Sequence, residues 1–382
     1  MTSPESTDHD LPSGVVPRWA IPLALLIPLA AVLQAVGADE VMVFGASALA
    51  LVPCSAVMGR ATEHLSARSG PGIGGLMNVT FGNGPELIIA LVALNSGFHE
   101  LVKASLVGSI LGNVLLVLGA SMLAGGLSLG NRQGEQTFNR TAATAQSGML
   151  LLAVVALVMP GLWEIIDPKG LGLPAVGLEG GSIDFGGGEV EQLTTVVSVI
   201  LILTYAAGLL FSLVTHKDIF NPVQGETGGV WRVGKSLLLL GLAGALVAWM
   251  SEILVGSVDS AARSLGASEF FIGVVVVAIV GNAAEHWVAV AVARKDQLSL
   301  AINISVGSAA QIALFVTPVV ALASLFLGPH PMALVFNGYE LAALVLGSIV
   351  AGFVTARGRS TWFEGLQLIT VYVVFGVTFW FA

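Results

Sequence analysis

Charged side chains are scarce in this sequence: they make up 10% of its 382 residues, whereas hydrophobic residues make up 55%. Soluble domains carry roughly 25% charged residues, so this composition excludes an ordinary soluble domain and indicates a polytopic membrane protein. Cysteine is scarcer still, because Cys54 is the only one, and this excludes a disulfide within the chain. The formal net charge of −9 argues against nucleic acid as a partner.

Long apolar stretches make up most of the sequence. A membrane-crossing helix needs about 20 predominantly apolar residues, and eleven stretches meet this requirement, so we predict an all-α membrane protein with eleven transmembrane helices. Residues 1–17 are polar and acidic, and we expect them to form a disordered tail. The predicted helices 1 to 11 span residues 18–36, 40–67, 72–97, 100–124, 140–162, 191–214, 232–257, 269–293, 298–327, 332–355 and 361–381.

Lysine and arginine in the short loops predict the orientation, since they are enriched on the cytoplasmic side. A cytoplasmic N-terminus places twelve basic residues inside and three outside, with the C-terminus outside. We expect the bacterial inner membrane. The inside set is Arg18, Arg60, Arg68, Arg132, Arg140, Lys217, Arg232, Lys235, Arg294, Lys295, Arg357 and Arg359, and the outside set is Lys103, Lys169 and Arg263.

A short motif occurs twice at membrane depth. Gly82-Asn83-Gly84-Pro85-Glu86 is followed 199 residues later by Gly281-Asn282-Ala283-Ala284-Glu285. The same offset relates Gly74 to Gly273, Gly108 to Gly307 and Ser109 to Ser308, which indicates an internal repeat.

The two copies have opposite orientations, because five crossings separate predicted helices 3 and 8. Inverted repeats with interrupted helices are typical of secondary transporters. We therefore predict an extra helix at 18–36, a first five-helix repeat (helices 2–6) at 40–214, a cytoplasmic connection at 215–231 and a second repeat (helices 7–11) at 232–382.

Ionisable groups at membrane depth are costly and usually functional. Asn83 and Glu86 share a helix face, as do Asn282 and Glu285, because their spacing is i, i+3. Gly84 and Pro85 weaken the first helix beside Glu86, whereas a break in the second copy would have to come from Gly281. The alternative is that the two glutamates are structural groups hydrogen-bonded between helices.

The candidate ligands are all oxygen donors, which suits a hard cation such as Ca²⁺ better than Zn²⁺. We predict a metal site made of Glu86, Glu285, Asn83, Asn282, Ser109, Asn113, Ser308 and Gln311. Glu86, Glu285 and His286 are the candidates for proton coupling, although His286 could simply pack. Glu63 and Glu252 are candidates for an access path, although each could be an ordinary helix charge.

Several segments resemble cation/proton exchangers of the Ca²⁺/H⁺ antiporter type. The segment from Leu76 to Ile88 is similar to the family's first repeat motif, and those from Val280 to His286 and from Val306 to Pro318 are similar to the second. The match covers about residues 50 to 320. The resemblance implies a fold of eleven helices, with Ca²⁺ held between Glu86 and Glu285 and supported by Asn83, Asn282 and Gln311.

The chain departs from the family pattern in two places. Gly84-Pro85 stands where the family usually has Ala-Val or Ala-Thr. The segment 216–231, where many members carry an acidic helix, holds only Asp218 and Glu226 as acidic residues, so a Ca²⁺-sensing role of this segment is in doubt.

The predicted function is secondary antiport of Ca²⁺ against protons, with both ions competing for the carboxylate pair. Na⁺-coupled exchange, transport of Mn²⁺ or another cation, and a cation channel remain open as alternatives. We do not expect an enzyme, because the sequence lacks H-E-x-x-H and a soluble catalytic domain. We expect no cofactor besides the transported Ca²⁺, and the partners are Ca²⁺, H⁺ and the lipid bilayer.

Overall fold

The structure, a computed structural model, describes residues 14–69, 74, 77, 80–128, 135–166, 188–215 and 231–381. Two predicted features therefore lie largely outside the described residues, the tail at 1–17 and the connection at 215–231, and so does most of the segment between predicted helices 5 and 6. The helices are α1 Arg18–Ala35, α2 Glu40–Arg68, α3 Gly84–Asn95, α4 His99–Ser128, α5 Arg140–Ile166, α6 Glu189–Thr215, α7 Val233–Leu265, α8 (Glu269–Gly281 and Ala283–Ala293), α9 Leu298–Ala323, α10 Gly338–Thr355 and α11 Trp362–Phe381.

Within the described ranges, nine helices are long and apolar enough to cross a membrane, and a tenth is obtained if the two halves of α8 form one span. Those halves meet at an angle of 58°. The described helix α3 has 12 residues, which is too short to cross alone. Predicted helix 3, which we expected to run through 72–97, is therefore divided at Asn83.

Helices α4 and α9 form the centre of the molecule. In their most apolar windows 83% and 72% of the residues are buried, whereas α1 has only 11% buried and lies at the periphery. Gly108 of α4 is in close contact with α8, because a Cβ atom there would overlap the carbonyl group of Val274. Glycine at this position lets α4 and α8 approach closely, as small residues do in membrane helix pairs.

Helices α4 and α9 each change to π-helical geometry at the predicted site residues: Asn113 lies within the π segment of α4, and the π segment of α9 begins directly after Gln311. The π segments run over Gly112–Val117 in α4 and Ile312–Val316 in α9, and a third covers Ile272–Val277 in α8. Such wide turns frequently mark functional sites. The sequence pattern did not predict them, because apolar periodicity does not distinguish one wide turn inside a long helix.

Predicted helix 10 begins six residues later than expected, because residues 332–337 are not helical. Asn337 and Glu340 form a capping box that starts α10 at Gly338. The backbone before it is buried and is satisfied by side chains: Ser324 accepts from the Met332 N–H at 2.8 Å, and Thr194 accepts from the Leu334 N–H at 3.0 Å. Buried non-helical backbone at membrane depth is tolerated on this condition.

Two short strands, β1 Glu135–Thr137 and β2 Arg359–Thr361, form an antiparallel ribbon that joins the α4–α5 loop to the α10–α11 loop. The buried Gln136 side chain donates a hydrogen bond to the Ala293 carbonyl at 3.0 Å, so the ribbon also holds the end of α8. Sequence analysis did not predict these strands, because three residues are too few for a periodic signal.

The contacts between loops divide the helix ends into two groups. On one side, the ribbon and Gln136 connect the α4–α5, α10–α11 and α8–α9 loops. On the other side, the ring centroids of His99, at the start of α4, and of His330, in the α9–α10 loop, are 4.3 Å apart. Each contact joins ends that the predicted topology places on the same face of the membrane.

Candidate cation site

The helical path is interrupted at the same residue in both copies of the repeated motif. Asn83 has φ −93° and ψ 25°, and Asn282 has φ −94° and ψ 2°, so both leave helical geometry in nearly the same way. The break therefore lies at the asparagine in both copies, although only the first copy has Gly-Pro after it. The motif's interruption was predicted, and the structure assigns it to Asn83 and Asn282.

Each asparagine is the N-cap of a half-helix, and each motif glutamate is the third residue of that helix. Glu86 and Glu285 therefore lie in the first turns of α3 and of the second half of α8. Anionic side chains are stabilised there, because the helix macrodipole is positive at its N-terminus. Pro85 occupies one of the first two helical positions, where its missing N–H is not needed.

The asparagines are held by serines that belong to the opposite copy of the repeat. Ser308 on α9 donates to Asn83 Oδ1 at 2.6 Å, and Asn282 Nδ2 donates to Ser109 Oγ on α4 at 3.0 Å. Ser109 and Ser308 are themselves separated by the repeat offset of 199 residues. The two contacts are therefore reciprocal between the copies.

Two further amides complete this network. Asn83 Nδ2 donates to Gln311 Oε1 at 2.7 Å, and Asn113 Nδ2 donates to Asn282 Oδ1 at 3.3 Å. Asn113 Nδ2 also lies 3.5 Å from Ser308 Oγ, which links the two halves of the network. All six predicted amide and hydroxyl residues are thus brought together, and in this state the oxygens of both motif asparagines accept hydrogen bonds from protein groups.

The carboxylates themselves face the partner motif. Glu86 is buried, with 6% of its surface exposed, and one of its oxygens lies beside Gly281. Glu285 is partly buried, and one of its oxygens lies beside Gly82. The two groups are close enough for their charges to interact. Among the described residues, Oε2 of each glutamate has no hydrogen-bond partner. Each glutamate therefore retains one oxygen that is available to bind a cation.

A small cavity lies against Glu86, with a volume of about 10 Å³, which is room for one water-sized particle. Its lining includes Ser109 and Gly281 as well as the apolar side chains of Ile89 and Val277. A desolvated cation fits a space of this size, and oxygen is the only polar element that these side chains present.

Of the predicted access residues, only Glu63 lies near the carboxylate pair. Its charge interacts with that of Glu285, and Arg60 one turn earlier interacts with Glu63. Glu252 lies on the exposed face of α7, and in the described part of the chain it makes no hydrogen bond or ion pair. His286 is partly buried, and its Nε2 has no partner among the described residues.

Sequence analysis missed Asp259 near the end of α7. Its Oδ1 is buried without a hydrogen-bond partner in the described structure, and its charge interacts with Glu269 at the start of α8. A signal was present: Glu63 precedes Arg68 near the end of α2, just as Asp259 precedes Arg263 near the end of α7. Asp259 is therefore a second acidic residue of α7, besides Glu252, and it lies toward the end of its helix as Glu63 does.

Comparison with known proteins places these features in a family. The family described as sodium/calcium exchanger protein matches this chain twice, over residues 40–214 and 235–381. The chain belongs to this family. The chain is also similar to the Ca²⁺/H⁺ antiporter of Aphanothece halophytica, which is 37% identical over 375 residues that cover 94% of this chain and 95% of the relative.

Other relatives are similarly close. The Ca²⁺/H⁺ antiporter ChaA of Bacillus subtilis (strain 168) is 39% identical, with 92% of this chain and 96% of the relative covered. Among solved structures, native YfkE matches with a TM-score of 0.77 and 37% identity over 95% of this chain and 99% of YfkE. The H⁺/Ca²⁺ exchanger CAX matches with a TM-score of 0.68 and 15% identity over 94% of this chain and 91% of CAX, which shows a shared fold.

Proposed function

We propose that this integral membrane protein is a secondary antiporter that exchanges Ca²⁺ for H⁺. The relatives from Aphanothece halophytica and Bacillus subtilis carry the name Ca²⁺/H⁺ antiporter and align over more than nine-tenths of the chain. The observation that supports the proposal in this molecule is the pair Glu86 and Glu285, each at the start of a half-helix and each with an oxygen that has no hydrogen-bond partner among the described residues.

In this mechanism the two carboxylates bind either one Ca²⁺ or protons. Together they neutralise a divalent cation, and carboxylate oxygens are ligands that Ca²⁺ prefers. Without a cation, two neighbouring carboxylates that are largely shielded from water resist ionising together, so at least one takes up a proton. Calcium entry then releases protons, and proton entry from the other side releases calcium. When both carboxylates are ionised and no ion is bound, the charge makes it too costly for the site to switch its access from one side of the membrane to the other. The two fluxes are therefore coupled.

The amides and hydroxyls have a second role in this scheme. Asn83 and Asn282 hold the two half-helices together through Ser308 and Ser109, so that Glu86 and Glu285 stay opposite each other. Ca²⁺ needs six to eight oxygen ligands, more than two carboxylates supply. We propose that amide and hydroxyl oxygens of this network complete the coordination when the ion is bound.

We further propose that helices 2–6 and 7–11 are inverted repeats about an axis in the membrane plane. Two observations support this arrangement. The family matches each of the two segments separately, and the Asn83–Ser308 and Asn282–Ser109 contacts are reciprocal, as a two-fold relation requires. The repeated motif would then supply one carboxylate from each half of the transporter.

The orientation in the membrane is also part of the proposal. The N-terminus would be cytoplasmic and the C-terminus outside, in a bacterial inner membrane. This orientation puts most of the lysine and arginine residues of the loops in the cytoplasm, where they are enriched in membrane proteins. Arg68 and Lys235 both contact Trp231 on that face: Arg68 Nε donates to its carbonyl at 2.6 Å, and Lys235 Nζ lies 4.3 Å from its ring centre.

Na⁺-coupled exchange is the second candidate, because the family is described as sodium/calcium exchanger protein. Transport assays in everted membrane vesicles separate the two. Uptake of ⁴⁵Ca²⁺ should follow an imposed pH gradient and should collapse with a protonophore. A Na⁺ gradient without a pH gradient should drive little uptake. Uptake that follows Na⁺ and ignores the protonophore would contradict proton coupling, and passive flux independent of both gradients would indicate a channel.

A further inference from the structure

Gly84 is the first residue of α3, directly after Asn83, and it contacts a side chain from α2. A Cβ atom at Gly84 would overlap the terminal methyl group of Met58. Met58 is itself buried, with 4% of its surface exposed, so a side chain at Gly84 would force this terminal methyl group to shift within a packed region. The thioether thus occupies the space that a side chain at this position would fill.

The second repeat is built differently at the equivalent position. Ala283 follows Asn282 there, so the first turn of that half-helix carries a methyl group where α3 carries none. Glu86 is also the more deeply buried of the two carboxylates, since Glu285 is only partly buried. The two halves of the site therefore differ both in this contact and in the burial of their carboxylates.

Helix α2 reaches both carboxylates from one side. Met58 touches the turn that carries Glu86, and the charge of Glu63, five residues further along the same helix, interacts with Glu285. A displacement of α2 would therefore change the surroundings of both groups together. Methionine suits such a contact, because its unbranched side chain adapts its shape to the surface of the neighbouring helix.

We infer that Met58 is a positioning residue for cation exchange: its side chain packs against Gly84 and fixes the turn of α3 that carries Glu86. The inference rests on the proposed Ca²⁺/H⁺ exchange. It predicts that a side chain at position 84 displaces Glu86 unless Met58 is shortened at the same time. Gly84 and Met58 should therefore be energetically coupled.

The experiment uses four full-length variants in everted vesicles: Gly84→Ala, Met58→Ala, the double variant, and Gly59→Ala as a matched control. Gly59 lies next to Met58 on α2, and a Cβ there meets nothing within 4 Å among the described residues. The measurements are the KM for ⁴⁵Ca²⁺, the maximal rate per inserted protein and the pH profile of exchange. The amount and the melting temperature of each purified protein are recorded as well.

Gly84→Ala should raise the KM about tenfold, because an added methyl group in a packed site forces its neighbours to shift. The double variant, which has room for the methyl group as the second repeat does, should return to within about threefold of the wild type. Met58→Ala alone cannot clash, and it should raise the KM about threefold through the lost contact. The control should match the wild type in KM and in pH profile.

Equal KM values and pH profiles in all four variants would overturn the inference, as would a double variant no better than Gly84→Ala. A purely structural contact would lower the melting temperature or the amount of protein and leave KM and pH profile unchanged, which also contradicts the inference. If Gly84→Ala does not insert, Met58→Ala decides alone. Absence of exchange in the wild type would instead contradict the proposed function, so the two failures are distinguishable.

Discussion

Ser308 donates a hydrogen bond to the side-chain oxygen of Asn83 at 2.6 Å, although 225 residues separate them in the chain. The bond joins the centre of α9 to the point where the α3 half-helix begins. In the corresponding contact of the other copy, the Asn282 side-chain amide donates to the Ser109 hydroxyl oxygen. The two helix breaks are therefore held by each other's repeat, so a change at one serine acts on the carboxylate of the other copy.

This relationship predicts similar effects for Ser308→Ala and Ser109→Ala. Each substitution removes the group that bonds a buried amide, which costs about 1–3 kcal/mol. We expect the KM for Ca²⁺ to rise about tenfold in each variant, with the protein still inserted. Kinetics of ⁴⁵Ca²⁺ uptake measure this. Ser257→Ala is the control, because within the described part of the chain its hydroxyl bonds only carbonyls of its own helix. An unchanged KM in one of the two serine variants, together with a large increase of KM in the other, would contradict the reciprocal arrangement.

The carboxylates are predicted to be individually essential. Glu86→Gln and Glu285→Gln mimic the protonated state permanently, so neither variant can neutralise Ca²⁺ or release a proton. Exchange should fall at least about a hundredfold, since each lost charge leaves the cation incompletely compensated in a desolvated site. Glu40→Gln, an exposed acid at the start of α2, should be unaffected. Wild-type exchange by either site variant would exclude the shared carboxylate pair.

Competition between the two ions predicts a pH dependence with a definite sign. Ca²⁺ binds the ionised carboxylates and protons bind the same oxygens, so apparent Ca²⁺ affinity should rise as pH rises. For release of one proton per ion, the affinity should change by about tenfold per pH unit where the site is protonated, by mass action. Binding of Ca²⁺ to purified protein across pH 6 to 9 tests this, with Glu86→Gln expected to show a weaker dependence. An affinity constant over that range would contradict competition.

Much of the site could be predicted because the internal repeat is visible in the sequence as matching residues at a constant offset. Two copies of an Asn-x-x-Glu motif at one constant offset identify Glu86 and Glu285 and place a break near each. Paired serines at the same offset identify the network, and helical spacing adds Asn113 and Gln311. These are local patterns, and the contacts that join them follow from the packing of two copies of the same unit.

Other features could not be predicted, because they depend on what the chain meets elsewhere in the fold. The methyl group of Met58 over Gly84 is such a contact, since nothing in either local pattern refers to the other. The extended segment before α10 reads as part of an apolar helix, and only the distant hydroxyls of Thr194 and Ser324 make it stable as buried coil. The break was expected near Gly281, yet backbone geometry changes at Asn282.

The predicted topology can be tested with reporter fusions at residues 180 and 225, both outside the described residues. A fusion at 225 should report a cytoplasmic position and one at 180 an outside position, since α6 lies between them. The basis is the accumulation of lysine and arginine on one side. Alkaline phosphatase and green fluorescent protein fusions give complementary signals. Finding both positions on one side would refute the assignment of α6 as a membrane-crossing helix.

Trp231, which lies two residues before α7, is predicted to hold α2 and α7 together on the side of the protein that carries the basic loops. Its ring stacks on His64 of α2 with centroids 4.0 Å apart, and its backbone N–H donates to His64 Nδ1 at 3.3 Å. Only 6% of its surface is exposed. Trp231→Ala should therefore destabilise the protein by about 3–5 kcal/mol, the usual cost of removing a buried Trp or Phe side chain.

The measurement is thermal unfolding of the purified variant in detergent, together with the maximal rate of ⁴⁵Ca²⁺ exchange. Trp249→Ala is the matched control, because Trp249 lies on α7, the helix that follows Trp231, but is 44% exposed. We expect a clear fall in melting temperature only for Trp231→Ala. Its maximal rate should fall as well, because α2 carries Met58 and Glu63 and would no longer be held to α7 at this end. Equal melting temperatures for the two variants would show that the stacked ring contributes nothing to holding α2 and α7 together.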